Sequence, residues 1–97
     1  MERYSAKSID EMGRLVLHNE LRKRLGLDAG QAFVLWHIGS IVILQKVNED
    51  IDETATKMDE LGRIVLPAEM RKKLRWNVRS KIAIYYVDDR MVILKRA

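Results

Sequence analysis

The residues of this chain that could do acid–base chemistry are two pairs of adjacent carboxylates, Asp10–Glu11 and Asp59–Glu60. Neighbouring side chains in a loop rarely converge on one substrate, and neither pair is accompanied by a serine and histidine arrangement that would support nucleophilic catalysis. We therefore expect no enzymatic activity. We expect these carboxylates to cap turns or to pair with nearby arginines.

Thiol and metal chemistry have still fewer candidates. The sequence has no cysteine, which excludes disulfides, thiol catalysis and cysteine-based zinc sites. Its two histidines, His18 and His37, lie in different sequence contexts. We therefore expect no metal site and no cofactor, and the remaining chemistry is that of basic side chains binding an anionic partner.

The composition is that of a soluble globular domain, with 97 residues of which 47% are hydrophobic and 33% charged. No apolar run approaches the roughly 18 residues of a membrane-spanning helix. The opening residues, MERYSAKSID, lack the apolar core of a signal peptide. We expect a cytoplasmic protein with no membrane partner, and its net charge of +4 permits an anionic one.

The basic residues recur because a stretch of the sequence recurs. EMGRLVLHNELRKRL at residues 11–25 returns 49 positions later as ELGRIVLPAEMRKKL at residues 60–74. Residues 9–25 and 58–74 are identical at 10 of 17 positions, whereas average residue usage would give about one identity by chance. The sequence therefore contains an internal repeat, and the two repeated stretches have basic residues at the same four positions.

Each copy predicts the order strand, loop, strand, short helix, strand, turn, strand. AFVLWHI leads through a GS turn into IVILQK, and KIAIYYV leads through DDR into MVILKR, so a β-hairpin is predicted in each copy. In the helices, the apolar pairs Leu21/Leu25 and Met70/Leu74 are spaced to face inward.

The predicted helices, HNELRKRL and PAEMRKKL, differ at both ends. Pro67 suits a first helical turn, where its missing N–H needs no partner, and His18 in its place predicts a less sharp helix start. Gly26 is expected to end the first helix as a left-handed cap. Because Arg75 stands at the equivalent position, the second helix is expected to end differently.

The charge pattern divides the chain into three parts. Residues 1–47 carry 7 Lys/Arg against 5 Asp/Glu, residues 57–97 carry 11 against 5, and residues 48–56 carry 4 acidic residues and no basic one. We predict a first repeat at 1–47, an acidic linker at 48–56 and a second repeat at 57–97. Since a copy of about 45 residues is near the limit for folding alone, both copies are expected to form one closed, pseudo-twofold β-structure.

The motifs of both copies resemble one family. DELGRIVLPAEMRKKL followed by IAIYYVDDRMVILKR is similar to the AbrB/SpoVT/MazE family of DNA-binding domains. Its typical run is a Val-Asp-Glu-Leu-Gly-Arg strand and loop, a Val-Ile-Pro strand end, a short Glu-Leu-Arg helix and a hairpin. In that family two chains interleave their hairpins into a swapped-hairpin, or cradle-loop, β-barrel. The resemblance covers almost the whole chain and implies a mainly β fold with short helices, in which two tandem repeats form such a barrel as an intrachain pseudo-dimer.

The resemblance also implies a double-stranded DNA-binding transcriptional regulator whose contacts come from arginines around the Gly-Arg loop and on the short helix. Lys23 and Lys72 stand where the family often has a second arginine, which keeps the charge and loses the bidentate fork. A further family arginine before the loop corresponds to Lys7, and in the second copy to Thr56, with Lys57 beside it. The candidate DNA-binding residues are Lys7, Arg14, Arg22, Lys23, Lys57, Arg63, Arg71 and Lys72.

Physical chemistry supports the same partner. Cations repeated at equivalent positions of a twofold structure can engage successive stretches of phosphate on a duplex, so we expect a nucleoid-associated protein. The larger charge of the second copy favours an imperfect palindrome as its target. Whether the arginines read base edges or DNA shape stays open.

Several alternatives stay open beside DNA regulation. The helix cations could be no more than a solvated surface, and the chain could be an oligomerisation module or could exchange halves with a second copy to form a homodimer. The aromatic residues could stack on single-stranded nucleic acid, although core or barrel-rim positions suit them better. An antitoxin-like protein that binds a toxin partner is the leading alternative. It is expected to need a long acidic tail, whereas this sequence ends at Ala97, just after its last predicted strand.

Overall fold

A computed structural model of the chain describes residues 2–48 and 55–97, with side chains described from residue 5. The predicted acidic linker lies outside the described residues except for residues 48, 55 and 56. The described residues form the following strands and helices: β1 (Glu2–Ser8), β2 (Arg14–Val16), α1 (Asn19–Leu25), β3 (Ala32–Ile38), β4 (Ile41–Val47), β5 (Thr56–Lys57), β6 (Arg63–Val65), α2 (Ala68–Leu74), β7 (Lys81–Tyr86) and β8 (Met91–Arg96).

The order strand, strand, helix, strand, strand occurs twice, which confirms the predicted order of elements. Both predicted hairpins form, as β3–β4 and β7–β8. Six strands make one antiparallel sheet in the order β1-β7-β8-β4-β3-β5, and this sheet curls into a half-barrel. The fold is therefore mainly β with two short helices.

Strands of the two halves pair with each other. β1 pairs with β7 and β5 with β3, so the first strand of each half lies against the hairpin of the other half. β4 pairs with β8, and a separate two-stranded ribbon joins β2 to β6. Val42 lies opposite Leu94 and Leu44 opposite Val92, so the register is unchanged when the equivalent strands are exchanged. Neither half completes the sheet without the other.

One hydrophobic core lies between the curled sheet, the ribbon and the helices. Alternate strand residues point inward because the side-chain period of a strand is two. Fully burying one leucine, isoleucine or phenylalanine contributes roughly 1.5–3 kcal/mol, so the core is the main source of stability. Its largest fully buried side chains are Phe33, Ile9, Leu15, Leu17, Leu21, Leu44, Met58, Ile64, Leu66, Ile82, Ile84 and Leu94.

The starts of the helices correct one expectation. α1 begins as sharply as α2, because Nδ1 of His18 accepts a hydrogen bond from the Glu20 N–H at 3.2 Å. Pro67, at the equivalent position, offers no side-chain cap. Both helices have seven residues, whereas crossing a bilayer takes roughly 20, so neither helix of the described residues is long and apolar enough to span a membrane.

The ends of the helices correct a second expectation. Gly26 ends α1 in the left-handed conformation at φ 64°, as predicted, and Arg75 ends α2 in the same conformation at φ 58°. The expectation that the second helix would end differently is therefore wrong. The residue after each cap, Leu27 or Trp76, is buried in the core and holds the turn in place.

Candidate nucleic-acid interface

The first Asp-Glu-x-Gly-Arg loop, residues 10–14, is organised by Asp10. Its Oδ1 accepts hydrogen bonds from the N–H groups of Met12 and Arg14 at 2.9 and 2.8 Å. Its Oδ2 accepts a hydrogen bond from Nε of Arg14 at 2.8 Å. One carboxylate therefore fixes both the turn and the direction of the arginine side chain.

The second loop, residues 59–63, repeats this arrangement. Asp59 Oδ1 accepts from the N–H groups of Leu61 and Arg63 at 2.9 and 2.8 Å. Its Oδ2 accepts from Arg63 Nε at 2.5 Å. The four carboxylates of the two loops were predicted to cap turns or to pair with nearby arginines, and this is confirmed for Asp10 and Asp59, each of which does both.

The hydrogen bonds also shift the acidity of the two aspartates. Desolvation alone would raise the pKa of Asp10, but the bonds from Arg14 and Met12 together with the Arg14 charge outweigh it and hold the pKa below its ordinary value of 3.8. The same balance lowers the pKa of Asp59. Both carboxylates are charged at neutral pH, so both loops keep their arginines fixed.

The ribbon presents a mixed apolar and cationic face. Leu15 and Ile64, opposite each other, point into the core and are completely buried. The residues on either side of them therefore point outward, and Arg14 faces Val65 across the ribbon while Arg63 faces Val16. The side chains of Arg14 and Arg63 are 25% and 29% exposed, so their outer ends reach the surface. Four side chains of this outer face thus alternate between arginine and valine.

The helix arginines lie against the loop of the opposite half. Arg71 covers Gly13 so closely that an added Cβ would stand 2.5 Å from its Cζ, and Arg22 covers Gly62, with Nε 2.7 Å from such a Cβ. Sequence reasoning grouped these arginines with the loop of their own copy. Because the halves interleave, the structure instead brings Arg71 beside the loop of Arg14, and Arg22 beside the loop of Arg63.

Backbone contacts hold each of these arginines in place. Nε of Arg71 donates to the carbonyl oxygen of Leu66 at 3.0 Å, and the Leu66 N–H donates to the carbonyl oxygen of Gly13 at 2.9 Å. The equivalent bonds form in the other half. Nε of Arg22 donates to the carbonyl oxygen of Leu17 at 3.1 Å, and the Leu17 N–H donates to the carbonyl oxygen of Gly62 at 2.8 Å. Both helix arginines are therefore half-buried parts of the scaffold as well as surface cations.

The remaining predicted residues are four lysines. Lys23 and Lys72 are exposed on α1 and α2, one position after the helix arginines. Lys7 in β1 lies opposite Ile82. In β5 the residue that occupies the position equivalent to Lys7 is Thr56, which lies opposite Phe33, the counterpart of Ile82. Lys57 is the next residue and points to the other face of its strand, so Lys7 and Lys57 do not form a symmetric pair.

A further cation stands beside the first loop, and sequence reasoning missed it. Arg79 is exposed and lines a groove with Asp10, Glu11, Met12 and Arg14. The equivalent groove beside the second loop has Gly30 in its place. When the two copies are aligned at a distance of 49 residues, Arg79 falls opposite Gly30. This difference between the copies is the sequence feature that could have identified Arg79.

Within residues 2–48 and 55–97, no three histidine, aspartate or glutamate side chains converge as metal ligands would. Comparisons of the chain with protein-family models, with curated proteins and with solved structures find no match. The resemblance to AbrB-type domains is therefore carried by the sequence motifs themselves.

Proposed function

We propose that this chain is a double-stranded DNA-binding transcriptional regulator of the AbrB, transition-state-regulator type. In this proposal its two repeats form a swapped-hairpin barrel, as two chains do in that family, and the chain acts in the cytoplasm at the nucleoid. The pairing of β1 with β7 and of β5 with β3 supports this, because fusing two interleaved chains would produce this exchange of first strands.

The observation that carries the proposal is the ribbon with its cross-half arginines. Two outward arginines, Arg14 and Arg63, lie on one two-stranded ribbon, and each loop is covered by an arginine of the other half. The major groove of B-DNA, about 12 Å wide, admits a two-stranded ribbon. A twofold protein surface also matches the twofold symmetry of a duplex.

Charge favours a polyanionic partner once the helices are included. Each loop alone carries two carboxylates and one arginine, an excess of negative charge. Each covering helix has three basic residues against one glutamate and so adds a net charge of +2, which reverses the sign. The interleaving of the halves thus makes each loop attractive to phosphate, which supplies most of the affinity of DNA-binding proteins.

The decisive test is the double variant Arg14→Ala with Arg63→Ala. Fluorescence anisotropy with a labelled mixed-sequence duplex at 50 and 200 mM salt should show salt-sensitive binding by the unaltered protein. The variant should lose about thirtyfold or more in affinity, since each arginine contact is worth about 1–3 kcal/mol. Arg90→Ala with Lys95→Ala removes the same charge from exposed positions of the β7–β8 hairpin and serves as the control. Circular dichroism would check that both variants fold.

The outcomes separate the candidate functions. If the double variant binds as the control does, Arg14 and Arg63 are not the contacts. If the unaltered protein binds no duplex at either salt concentration, an oligomerisation module or a protein partner is favoured instead. Sedimentation equilibrium completes the test, because the intrachain pseudo-dimer predicts a monomer of 11.3 kDa, and exchange of halves between two molecules predicts twice that mass.

A further inference from the structure

Two non-glycine residues of the described chain have a left-handed backbone, and both are arginines of the second half. Arg75 has φ 58° and Arg79 has φ 73°. At the equivalent positions the first half has Gly26 at φ 64° and Gly30 at φ 89°. A side chain at such φ meets a steric penalty that glycine avoids, so the second half keeps two strained residues where the first half shows that glycine fits.

The fold itself imposes the left-handed turn at Arg79. Its N–H donates to the carbonyl oxygen of Ile9 at 2.8 Å, just as the Gly30 N–H donates to the Met58 carbonyl oxygen at 2.8 Å. These bonds join the segment before each hairpin to the start of the loop of the other half. Glycine satisfies this geometry beside the second loop, so the arginine beside the first loop is not needed for folding.

The position of Arg79 places its side chain where it can contact a ligand of the first loop. It is exposed and lines the groove formed by Asp10, Glu11 and Arg14, at the edge of the face that carries the ribbon arginines. The first loop with its covering helix and Arg79 therefore has five cations against three carboxylates. The second loop with its covering helix has four cations against three carboxylates, because Gly30 adds none.

We propose that Arg79 is an additional DNA phosphate contact that serves one half-site only, so that the two half-sites of the target are bound unequally. This inference rests on the proposed function and identifies the residue that breaks its twofold symmetry. A phosphate contact suits an exposed guanidinium at the rim of the groove, because base reading needs a side chain held in a fixed direction, as Asp10 holds Arg14.

The opposing interpretation is that Arg79 only neutralises Asp10 and Glu11. The two interpretations differ in what removal of the arginine does to DNA binding. Loss of a phosphate contact weakens binding to all sequences and makes the salt dependence less steep. Loss of a neutralising partner inside the protein leaves the number of phosphate contacts unchanged, and with it the slope of log K against log salt.

The test compares Arg79→Gly with Arg75→Gly. Each removes one positive charge and one strained residue, but Arg75 does not line the groove beside the first loop. With a mixed-sequence duplex, Arg79→Gly should weaken binding about three- to tenfold at 50 mM salt and should reduce the slope of log K against log salt by about 0.9. Arg75→Gly should keep the unaltered slope, and Arg79→Lys should restore most of the loss, because a phosphate contact needs only the charge.

Hydroxyl-radical footprinting on a duplex selected from a random pool locates the contact. The unaltered protein should protect one half-site more than the other, and Arg79→Gly should make the protection equal. Equal slopes for Arg79→Gly and Arg75→Gly would overturn the inference while leaving the proposed function intact. A lysine variant as weak as the glycine variant would also overturn the phosphate assignment. Failure of the unaltered protein to bind any duplex would instead refute the proposed function itself.

Discussion

The two helices occupy equivalent places in the fold, and they are built very differently. α1 buries Leu21 and Leu25 and is capped by the imidazole of His18, and a glycine forms its left-handed end. α2 buries no residue fully, has no side-chain cap and ends on a left-handed arginine. The comparison teaches that the two copies have diverged in what they contribute: α1 buries more apolar surface than α2, and the second half carries more of the positive charge.

Because both halves share one sheet and one core, the two helices can differ in apolar burial and charge without either half losing its fold. A copy that folded alone would have to supply both apolar burial and charge with its own residues. Here the strand pairing joins both halves into one core, so the apolar contacts of α1 also stabilise the half that carries more arginine and lysine. Each of the following substitutions is paired with its equivalent in the other half, so that the divergence can be measured.

The largest expected difference concerns the apolar faces of the helices. Leu21→Ala should lower the free energy of unfolding by about 2–5 kcal/mol, because Leu21 is completely buried and leaves a cavity. Met70→Ala should cost only about 1 kcal/mol, because Met70 is only partly buried against the core and buries less apolar area. Urea denaturation monitored by tryptophan fluorescence measures both, and equal costs would show that the difference in burial between the two helices does not affect stability.

The loop glycines should behave alike, in contrast to the helices. Gly13→Ala and Gly62→Ala should each cost about 2 kcal/mol, because the new Cβ meets a guanidinium and the backbone is left-handed. Gly39→Ala is the control for the backbone alone, since Gly39 has φ 58° with open space around it, and it should cost about 1 kcal/mol. Costs at Gly13 and Gly62 no larger than at Gly39 would show that the arginine contacts add nothing.

The left-handed helix ends should respond in opposite directions. Arg75→Gly should raise the free energy of unfolding by about 0.5–1 kcal/mol, because relief of the strained backbone exceeds the added flexibility of the unfolded chain. Gly26→Ala should lower it by about 1 kcal/mol, with no steric clash to add, since the nearest atom to its Cβ is Lys46 Nζ at 3.9 Å. Thermal unfolding of both variants is the measurement. A loss of stability in Arg75→Gly would show that the left-handed backbone of Arg75 costs less than the added flexibility of the unfolded chain.

The smallest expected effect is the pH dependence of the two aspartates. Their pKa values are lower in the folded protein than the ordinary value of 3.8, so the unfolded chain binds more protons near that pH. The stability that they contribute is complete above about pH 5 and is lost as pH falls below 4 through the folded pKa values. Acid unfolding of Asp10→Asn and Asp59→Asn should show a weaker pH dependence than the unaltered protein in that range, by the same amount in each.

The sequence predicted well whatever depends on local pattern. The hairpins, both helices, the inward Leu21 and Leu25 and the turn-forming Asp10 and Asp59 all follow from side-chain periodicity and turn chemistry. These preferences act within about ten residues, and the two copies supported each other. The mainly β class with short helices was correct for the same reason.

The sequence could not predict what depends on contacts between the halves. The covering of Gly13 by Arg71 requires knowing which loop meets which helix, and residue spacing does not contain that information. Arg75 and Arg79 were missed as left-handed residues because arginine alone gives no such signal, and tertiary hydrogen bonds impose the conformation. Comparison with Gly26 and Gly30 in the other copy contains the missing signal.

The pairing of β1 with β7 has a consequence for synthesis of the protein. More than seventy residues separate the two strands along the chain, and at 5–20 residues per second the ribosome needs roughly 4 to 15 seconds to make that length. During that time β1 has no partner strand, and the edge of β4 that pairs with β8 stays open until β8 is made. Unpaired strand edges promote association between nascent chains. The first half is thus the part of the chain for which binding by a chaperone during translation would matter most.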